Sequence, residues 1–367
     1  MSGRVTMKDV AAQLGVSTAT VSRALKDDPA ISLATRQAVA EVAQRVQYRP
    51  SAAARRLRTK STSLIGVVMQ SVGDGYIGAV VLGIQSRARE LGYQPLFFAT
   101  EGRTDLESQA LDVFLSEQVT QLITVSPSAS VPRQAVAEGL HVAVINSDEA
   151  VPAKRIQSVA TAKASPVGPT RSAGPEGRPP GTPRDPEPMI KHIAFDDLGA
   201  GRLATEHLIG LGHRNFVHLR GPNVRSSLLR LLGYRRALTE AGLWPQPVLT
   251  APTPVMQSRE AAVAEFLSKA AKRPVAMVAY DDMSAVAALH AAHRAGWRVP
   301  EDLSVVGIDD IQFAAYTNPG LTTVAQPKHR LGALAVDAVL EKDAAEVTVL
   351  DGELVIREST SQPGGAT

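Results

Sequence analysis

The chain contains no cysteine, and this absence removes several kinds of protein chemistry at once. None of its 367 residues can contribute to a disulfide framework, a cysteine-based metal site or a thiol nucleophile. Long apolar runs are also missing, since none reaches the roughly 18 to 20 uninterrupted residues that span a bilayer. The opening "MSGRVTMKDV" has no apolar segment of the kind that a secretion signal requires. We therefore expect a soluble cytoplasmic protein.

Positive charge is present, but it is concentrated at one end of the chain. Residues 1–60 hold eleven Lys and Arg against four Asp and Glu, a balance of +7, whereas the whole chain carries +3, so the remainder carries −4. A small basic head on a faintly acidic body suggests that the head binds a polyanion such as nucleic acid. The alternative is a solvated basic surface. A chain of this length predicts two or three structural units.

The head, residues 1–48, reads as three short helices. The apolar residues of "MKDVAAQL" follow the helical period after Thr6, and Gly15 ends that helix in a tight turn. Ser17 then caps a second helix that runs to about Leu25, and Ser32 caps a third that runs to about 46. Two helices joined by a tight turn, with a third packed across them, predict a helix-turn-helix domain.

The second helix holds the residues that we expect to contact DNA. Thr18, Ala19 and Arg23 are placed to meet base edges, and arginine can form a bidentate pair with guanine. Hydroxyl side chains can donate hydrogen bonds to phosphates. Those assigned to the DNA-binding surface are Thr6, Ser17, Thr20, Ser22, Ser32 and Thr35. The alternative is a plain helical hairpin capped by Ser17.

From residue 63 short β-branched runs alternate with helical stretches, which predicts an α/β body with parallel sheets. One series of strands is "LIGVVM", "PLFFAT", "QLITVS" and "VAVIN", and a second is "HIAFDD", "FVHLRG", "VAMVAY" and "LSVVGIDD". Two series imply two lobes. We place the N-lobe at about 63–150 and 327–345, and the C-lobe at about 189–324 and 346–362. Between the series, 151–188 holds nine of the 24 prolines and almost no large apolar residue, which predicts a disordered insertion.

The sequence resembles the lactose-repressor and galactose-repressor family of bacterial transcription regulators. The head from "VTMKDVAAQLGVSTATVSRAL" to "YRPSAAARRLR" is similar nearly residue for residue, and so are "GAGRLATEHLIGLGHR", "HRAGWRVPEDLSVVGIDDI" and "NPGLTTVAQP" in the body. The resemblance implies a two-lobed body like that of periplasmic sugar-binding proteins. Only the proline-rich insertion has no counterpart.

The resemblance also implies a hinge helix in residues 49–62 that orders only against DNA. Leu57 occupies the position of the family's apolar wedge, which enters the minor groove, while Arg55 lies beside phosphates. An ordinary basic linker is the alternative reading of the segment. A wedge would kink the duplex and a linker would not.

Family members bind a small molecule between their lobes, and the resemblance implies that six positions of this chain correspond to that site, although Asp74 stands where the family has asparagine and Asn146 where it has an acidic residue. They are Asp74, Tyr76, Asn146, Arg225, Arg230 and Asp282. Counting back from Gly296 favours Asp282 over Asp281, and a carboxylate there could hold two adjacent hydroxyls of a sugar or nucleoside. The alternatives are a helix cap for Asp282 and an ordinary surface arginine for Arg225 or Arg230. The insertion begins near the same cleft and could shield the site or be an inert loop.

Two other function classes are weighed against this interpretation. The stretch "GDGYIG", 73–78, matches a dinucleotide-binding fingerprint, but "QSV" separates it from the strand and its last glycine falls inside a helix. A nucleotide-dependent enzyme is therefore disfavoured, and an exported solute-binding protein would carry a signal in place of the basic head. His290 and His293 share a helix face but lack metal-binding partners in the sequence. We expect no cofactor, no metal and no catalysis.

The sequence thus predicts a transcription regulator of the repressor type, whose operator affinity depends on a sugar or nucleoside bound between two lobes. A homodimer would bind near-palindromic double-stranded operator DNA at the nucleoid.

Overall fold

The structure is a computed structural model that describes residues 5–46, 48, 63–71, 73–125, 130–146, 190–251, 255–341 and 343–364. The chain divides into two units, 1–62 and 63–367. The proposed hinge, with Arg55 and Leu57, and the insertion at 151–188 lie outside the described residues.

Helices and strands alternate along the body, and the described residues contain the eight predicted strands and four others. The helices are α1 (Met7–Leu14), α2 (Thr18–Ala24), α3 (Leu33–Arg45), α4 (Gly75–Glu90), α5 (Thr104–Ser116), α6 (Ser130–Ala137), α7 (Asp197–Gly210), α8 (Arg225–Glu240), α9 (Met256–Lys269), α10 (Asp282–Arg294) and α11 (Lys328–Leu340), with a 3-10 turn at Gln312–Tyr316. The strands are β1 (Leu64–Met69), β2 (Gln94–Ala99), β3 (Gln121–Val125), β4 (His141–Ile145), β5 (Ile190–Phe195), β6 (Phe216–Arg220), β7 (Val248–Thr250), β8 (Val275–Ala279), β9 (Leu303–Asp309), β10 (Thr322–Ala325), β11 (Val347–Leu350) and β12 (Glu353–Val355).

The head consists of α1, α2 and α3 around a small apolar core. Val10, Val21 and Val39, one from each helix, are completely buried in it. Gly15 ends α1 with φ of +61°, a left-handed conformation that glycine adopts without steric cost. The three-helix arrangement of the helix-turn-helix prediction is therefore confirmed.

The body contains two six-stranded sheets, one in each lobe. In the first sheet the strand order is β11-β5-β4-β3-β1-β2, and every pairing is parallel. In the second sheet the order is β12-β10-β9-β8-β6-β7, and only β12 runs antiparallel, to β10. Helices join successive parallel strands because a parallel connection must return to the starting edge of the sheet. The predicted two-lobed α/β body is confirmed.

The structure corrects the assignment of two strands to the lobes. We placed residues from 189 and from 346 in the C-lobe, but β5 pairs with β4 and β11 pairs with β5, so both strands belong to the N-lobe sheet. Pairing with β4 and β11 on its two sides satisfies the backbone of β5, which buries alternate residues. The chain therefore passes to the C-lobe after Phe195 and again after Leu350, later than expected in both cases.

Three crossings between the lobes converge at Gly352. A Cβ atom at this position would lie 2.7 Å from Val324 Cγ1, 2.9 Å from Phe195 Cζ and 3.1 Å from the carbonyl oxygen of Ala325. The chain crosses between the lobes after β5, after β10 and after β11. Phe195 is the last residue of β5, Val324 and Ala325 are the last two residues of β10, and Gly352 lies between β11 and β12. Only a residue without a side chain fits among them.

In each lobe two helices cross at paired glycines. In the C-lobe a Cβ on Gly201 of α7 would overlap the carbonyl oxygen of Arg230 in α8, and one on Gly233 would overlap that of Leu198. Helices α4 and α11 of the N-lobe cross in the same way. The close approach of α7 and α8 brings the first residue of α7, Asp197, next to the side chain of Arg230.

Candidate DNA-binding head and effector pocket

The exposed side of α2 carries the residues predicted to read bases. Thr18, Ala19 and Arg23 are exposed, whereas Val21 and Ala24 are buried against the other two helices. Arg23 does not extend freely into solvent, because its Nε donates a 2.8 Å hydrogen bond to Oδ2 of Asp28. The sequence did not indicate this pair.

Several hydroxyl groups predicted to contact phosphates also begin the helices. Ser17 accepts a hydrogen bond from the backbone N of Thr20 at 3.0 Å, and their hydroxyls are 2.9 Å apart. Ser32 and Thr35 repeat the arrangement at the start of α3. Thr6 begins α1, donating from both its backbone N and its hydroxyl to Asp9. In each hydroxyl pair one proton is used within the pair and the other remains available to an acceptor.

In the body a cavity of about 260 Å³ opens between the lobes. The N-lobe contributes Gln70, Asp74, Tyr76, Ile77 and Asn146 to its wall, and Gln326 comes from the second crossing. The C-lobe contributes a polar group that includes Ser226, Arg230, Arg259, Tyr280, Asp281 and Asp309. Most of these residues follow or end a strand of a parallel sheet, where ligands of open α/β folds characteristically bind.

The structure brings Asp74, Tyr76 and Asn146 together on the N-lobe wall. Asp74 caps α4, and its Oδ1 accepts hydrogen bonds from the backbone N of Tyr76 and of Ile77. Asn146, with φ of +50°, donates from Nδ2 to the Tyr76 hydroxyl at 2.6 Å and accepts from the backbone N of Phe195. Burial raises the pKa of Tyr76 well above its usual value. The Tyr76 hydroxyl therefore stays protonated and fixed.

Arg230 lies at the base of the cavity in a network of charges and is almost fully buried. Its Nε donates to Asp197 Oδ1 at 2.7 Å, its Nη1 to the carbonyl oxygen of Tyr280 at 2.7 Å, and its Nη2 to Asp309 Oδ1 at 3.4 Å. Burial opposes its charge, but the carboxylates of Asp197 and Asp309 outweigh that effect and raise the pKa of the guanidinium. Arg230 is thus a charged, held side chain that can orient its neighbours.

Asp309 is a pocket carboxylate that the sequence analysis missed. Its Oδ1 accepts a 2.5 Å hydrogen bond from Gln326 Nε2 and the contact from Arg230. Lys328 donates to its backbone oxygen. Burial raises the pKa of Asp309 well above its usual range, only partly opposed by Arg230, and the nearby carboxylates of Asp282 and Asp281 raise it further. The aspartate pair that ends "LSVVGIDD", at the carboxyl end of a parallel strand, was the signal that could have identified it.

The structure corrects the choice of Asp282 as the pocket aspartate. Asp282 is fully buried inside the C-lobe, where its Oδ2 accepts from the backbone N of Ile311 at 2.8 Å and its Oδ1 from Thr323 Oγ1 at 2.5 Å. Its neighbour Asp281 caps α10 through Ser284 and lines the cavity. Since successive residues at a helix start point in different directions, only one of the two carboxylates can face the cleft.

Asp281 is paired with Arg259, which the sequence analysis did not consider. Nη1 of Arg259 lies 3.2 Å from Oδ1 and 3.4 Å from Oδ2 of Asp281. Arg225, which we did consider, is not among the residues lining the cavity, although Val224 and Ser226 on either side of it are.

Tyr280 supplies an aromatic ring to the cavity. Its centroid lies 4.9 Å from the guanidinium carbon of Arg230, and its hydroxyl is 3.0 Å from that of Ser226. The ring also packs over Gly221, where a Cβ would overlap it. Burial raises the pKa of Tyr280 to about 12. The tyrosine directly after the buried strand "VAMVA" could have suggested this position.

Comparison with known proteins identifies the family. Residues 6–51 match the profile of bacterial regulatory proteins, lacI family, and residues 205–360 match a periplasmic binding protein-like domain. The HTH-type transcriptional regulator CelR of Thermobifida fusca is 30% identical over 97% of this chain and 98% of its own. This chain belongs to the lacI family of bacterial regulatory proteins.

Other proteins similar to this lacI-family chain are also transcription regulators. The repressor CytR of Escherichia coli K12 is 27% identical over 97% of this chain and 96% of its own. A lac repressor dimer bound to operator and the anti-inducer ONPF superposes with a TM-score of 0.79 at 26% identity, covering 98% of this chain and 100% of that one. A CelR–cellobiose complex gives 0.63 at 27% identity, covering 97% and 100%. The chain is a helix-turn-helix transcription regulator with a periplasmic-binding-protein-like body.

The structure also bears on the competing motifs. Gly75 and Gly78 of "GDGYIG" lie within α4, and neither has positive φ, so the stretch forms a capped helix start rather than a glycine turn. His290 Nδ1 lies 3.1 Å from Glu260, and the described residues contain no cluster of three potential metal ligands. In the same residues no helix is both long enough and apolar enough to cross a bilayer.

Proposed function

We propose that this regulator recognises its operator through α2, with Thr18, Ala19 and Arg23 contacting base edges in the major groove. The observation that carries the proposal is the division of α2 into one buried and one exposed side, which leaves these three residues accessible. Small side chains at the first two positions let a helix approach the bases closely, and arginine discriminates guanine.

We propose that six residues with hydroxyl side chains position the head by donating hydrogen bonds to DNA phosphates. They are Thr6, Ser17, Thr20, Ser22, Ser32 and Thr35. By resemblance, Leu57 would wedge into the minor groove and Arg55 would contact phosphates. A circular-permutation gel assay tests the wedge, because Leu57→Ala should reduce the bend of the bound duplex, whereas a linker residue would leave it unchanged.

The base-reading proposal is tested by comparing two alanine variants with equal loss of charge. Arg23→Ala should reduce discrimination between selected operator and scrambled duplex roughly ten- to hundredfold, the usual range for a bidentate base contact. Lys26→Ala, an exposed residue three positions away, should lower affinity for both duplexes equally. Fluorescence anisotropy measures both. Equal discrimination by the two variants would contradict base reading by Arg23.

We propose that the cavity between the lobes binds an uncharged, hydroxyl-rich effector, a sugar or nucleoside. Among described residues, the hydrogen bonds that Asp74 and Asp309 accept all end at Oδ1, so Oδ2 of each remains open to a hydroxyl group of a ligand, which can donate or accept. Both guanidinium groups at the cavity are already paired with carboxylates. An anionic ligand would therefore have to displace existing ion pairs, whereas hydroxyl groups would not.

The residues proposed to hold the effector are those that the structure brings to the cavity. They are Asp74, Tyr76, Asn146, Arg230, Tyr280, Asp281, Asp309 and Gln326. The solved CelR–cellobiose complex shows that a structural relative binds a disaccharide. A thermal-shift screen of sugars, nucleosides and their phosphorylated forms, repeated with operator DNA, tests the class, because a ligand of the folded state raises Tm. A shift produced only by phosphorylated compounds would contradict it.

We propose that closure of the lobes on the effector controls DNA binding in a homodimer. The body exposes large apolar side chains that a second copy could cover, including Leu82, Met283, Phe313 and Tyr316. Phe313 is 70% and Tyr316 80% exposed. Two heads would then bind a near-palindromic operator. Effector and operator affinities should change each other by the same factor, corresponding to roughly 1 to 3 kcal/mol.

We also propose that the regulator acts in the cytoplasm at the nucleoid and has no catalytic activity.

Sedimentation equilibrium of Phe313→Glu tests the proposed dimer interface, since a charge in the interface should shift the protein toward monomer. Unchanged dimerisation would remove Phe313 from the proposed interface.

A further inference from the structure

The base-reading arginine of the head is held in place by a carboxylate from the turn that follows α2. Nε of Arg23 donates to Oδ2 of Asp28 at 2.8 Å, and the Arg23 side chain remains 52% exposed. Neither Nη1 nor Nη2 takes part in this contact. An arginine pairs with guanine through two nitrogen atoms of the guanidinium edge, so a contact made at Nε leaves the Nη pair available for a base.

Asp28 is itself fixed, which makes it a suitable support. Its Oδ1 accepts from the backbone N of Ala30 at 2.9 Å, and its own backbone N donates to the carbonyl oxygen of Arg23 at 3.2 Å. The backbone N of Ile31 donates to the Asp28 carbonyl oxygen at 3.0 Å. The carboxylate is thus held by the turn, and the hydrogen bond from Arg23, its largest influence, lowers its pKa.

Two consequences for DNA binding follow from this geometry. A long arginine side chain normally loses rotamer freedom when it binds, and a side chain that is already ordered loses less. The adjacent carboxylate also reduces the attraction of Arg23 for phosphates. Because phosphates are the same in every DNA sequence, this effect weakens non-specific binding. An exposed ion pair of this kind contributes little to fold stability.

We propose that Asp28 is a positioning residue that orients Arg23 for base recognition and so determines how sharply the regulator distinguishes its operator from other DNA. This inference rests on the proposed base-reading role of Arg23. Asp28 itself need not touch DNA.

The chain offers a matched control beside the residue to be tested. Asp27 carries the same charge, but its side chain is 88% exposed and its nearest cation, Nη1 of Arg36, lies 3.8 Å away. Asp27→Asn and Asp28→Asn therefore change the net charge of the head equally. In Asp28→Asn only one side-chain oxygen can accept hydrogen bonds, and the backbone N of Ala30 and Nε of Arg23 must share it. The hydrogen bond to the guanidinium is therefore weakened, while the hydrogen bond within the turn can still form.

The experiment measures binding of the full-length protein to two duplexes by fluorescence anisotropy at fixed salt. One duplex is enriched from a random-sequence pool by the wild-type protein, and the other is its scrambled form. We expect Asp28→Asn to reduce the ratio of the two affinities about three- to tenfold, a usual range for coupled neighbours. Asp27→Asn should tighten binding to both duplexes and leave the ratio unchanged, because only charge is altered.

A double-mutant cycle separates positioning from any effect on the fold. If Asp28 acts through Arg23, Asp28→Asn should have no further effect on the ratio in an Arg23→Ala background. An equal loss in both backgrounds, an unchanged ratio, or improved discrimination by Asp28→Asn would overturn the inference. Should Arg23→Ala itself leave discrimination intact, the base-reading proposal fails instead, so the two failures are distinguishable.

Discussion

The corrected role of Asp282 leads to a prediction about pH and stability. Burial raises the pKa of this carboxyl to about 6, although hydrogen bonds from Thr323 and the backbone of Ile311 oppose the shift. The unfolded chain has an ordinary aspartate pKa, so between about pH 4 and pH 6 the folded protein binds more protons than the unfolded one. The contribution of Asp282 to the free energy of unfolding therefore falls as pH rises through this window.

The size of the effect follows from the same pKa values. Between pH 5 and pH 7 this contribution to the free energy of unfolding should fall by about 1 kcal/mol. In Asp282→Asn the amide is uncharged at both pH values, and it can accept from Ile311 N and donate to Thr323 Oγ1. Urea unfolding of both proteins at the two pH values measures the difference, since all other titrating groups are shared.

The matched control is Asp281→Asn, which keeps a cap for α10 but removes the carboxylate from the cavity wall. This variant should keep the direction of the wild-type pH dependence, since burial remains the main cause of the raised pKa of Asp282, and it should bind effector more weakly. Asp282→Asn should bind effector normally. Parallel stability curves for the wild type and Asp282→Asn would refute the reasoning, as would a loss of effector binding confined to Asp282→Asn.

Three further predictions concern packing and helix starts. Arg230→Met should cost about 3 to 5 kcal/mol in urea unfolding, because it removes the guanidinium that contacts Asp197 and Asp309 in the buried network; an added Asp197→Asn should restore part of that loss, and no recovery would argue against charge as the cause. Gly352→Val should cost about 1 to 3 kcal/mol, since its side chain would overlap Val324 and Phe195, and an unchanged Tm would show that the crossings can separate freely. Ser17→Ala should cost about 1 kcal/mol by removing the cap of α2, and circular dichroism should show earlier thermal melting than in the wild type.

The three helices of the head could be predicted from its sequence because their signals are local. A capping hydroxyl, an apolar residue at helical spacing and a glycine at the turn each act within a few residues of where they stand. Lobe membership of β5 could not be predicted in this way, because strand pairing joins residues far apart in the chain. The long insertion before β5 also suggested a boundary where none exists in the sheet.

The cavity was predicted only in part, for a different physical reason. Arg230 and Tyr76 could be placed by resemblance, but two adjacent aspartates at a helix start differ only in direction. An offset of one residue exchanges the buried Asp282 carboxylate with the Asp281 carboxylate that lines the cavity. The pairing of Arg259 with Asp281 depends on how α9 packs against α10, which no spacing within either segment reveals. The sequence therefore indicates which helices and strands border the cavity more reliably than it indicates which side-chain atoms face the cavity.

The glycine crossing of α7 and α8 has a practical implication for genetic screens. The backbone oxygen of Arg230 lies against Gly201, so any larger residue at 201 must displace the main chain of Arg230. Regulators that no longer respond to their effector could therefore arise from changes in a helix that does not line the cavity. Mapping such alleles would identify residues that support the cavity without lining it, and we expect repeated substitutions at Gly201 among them.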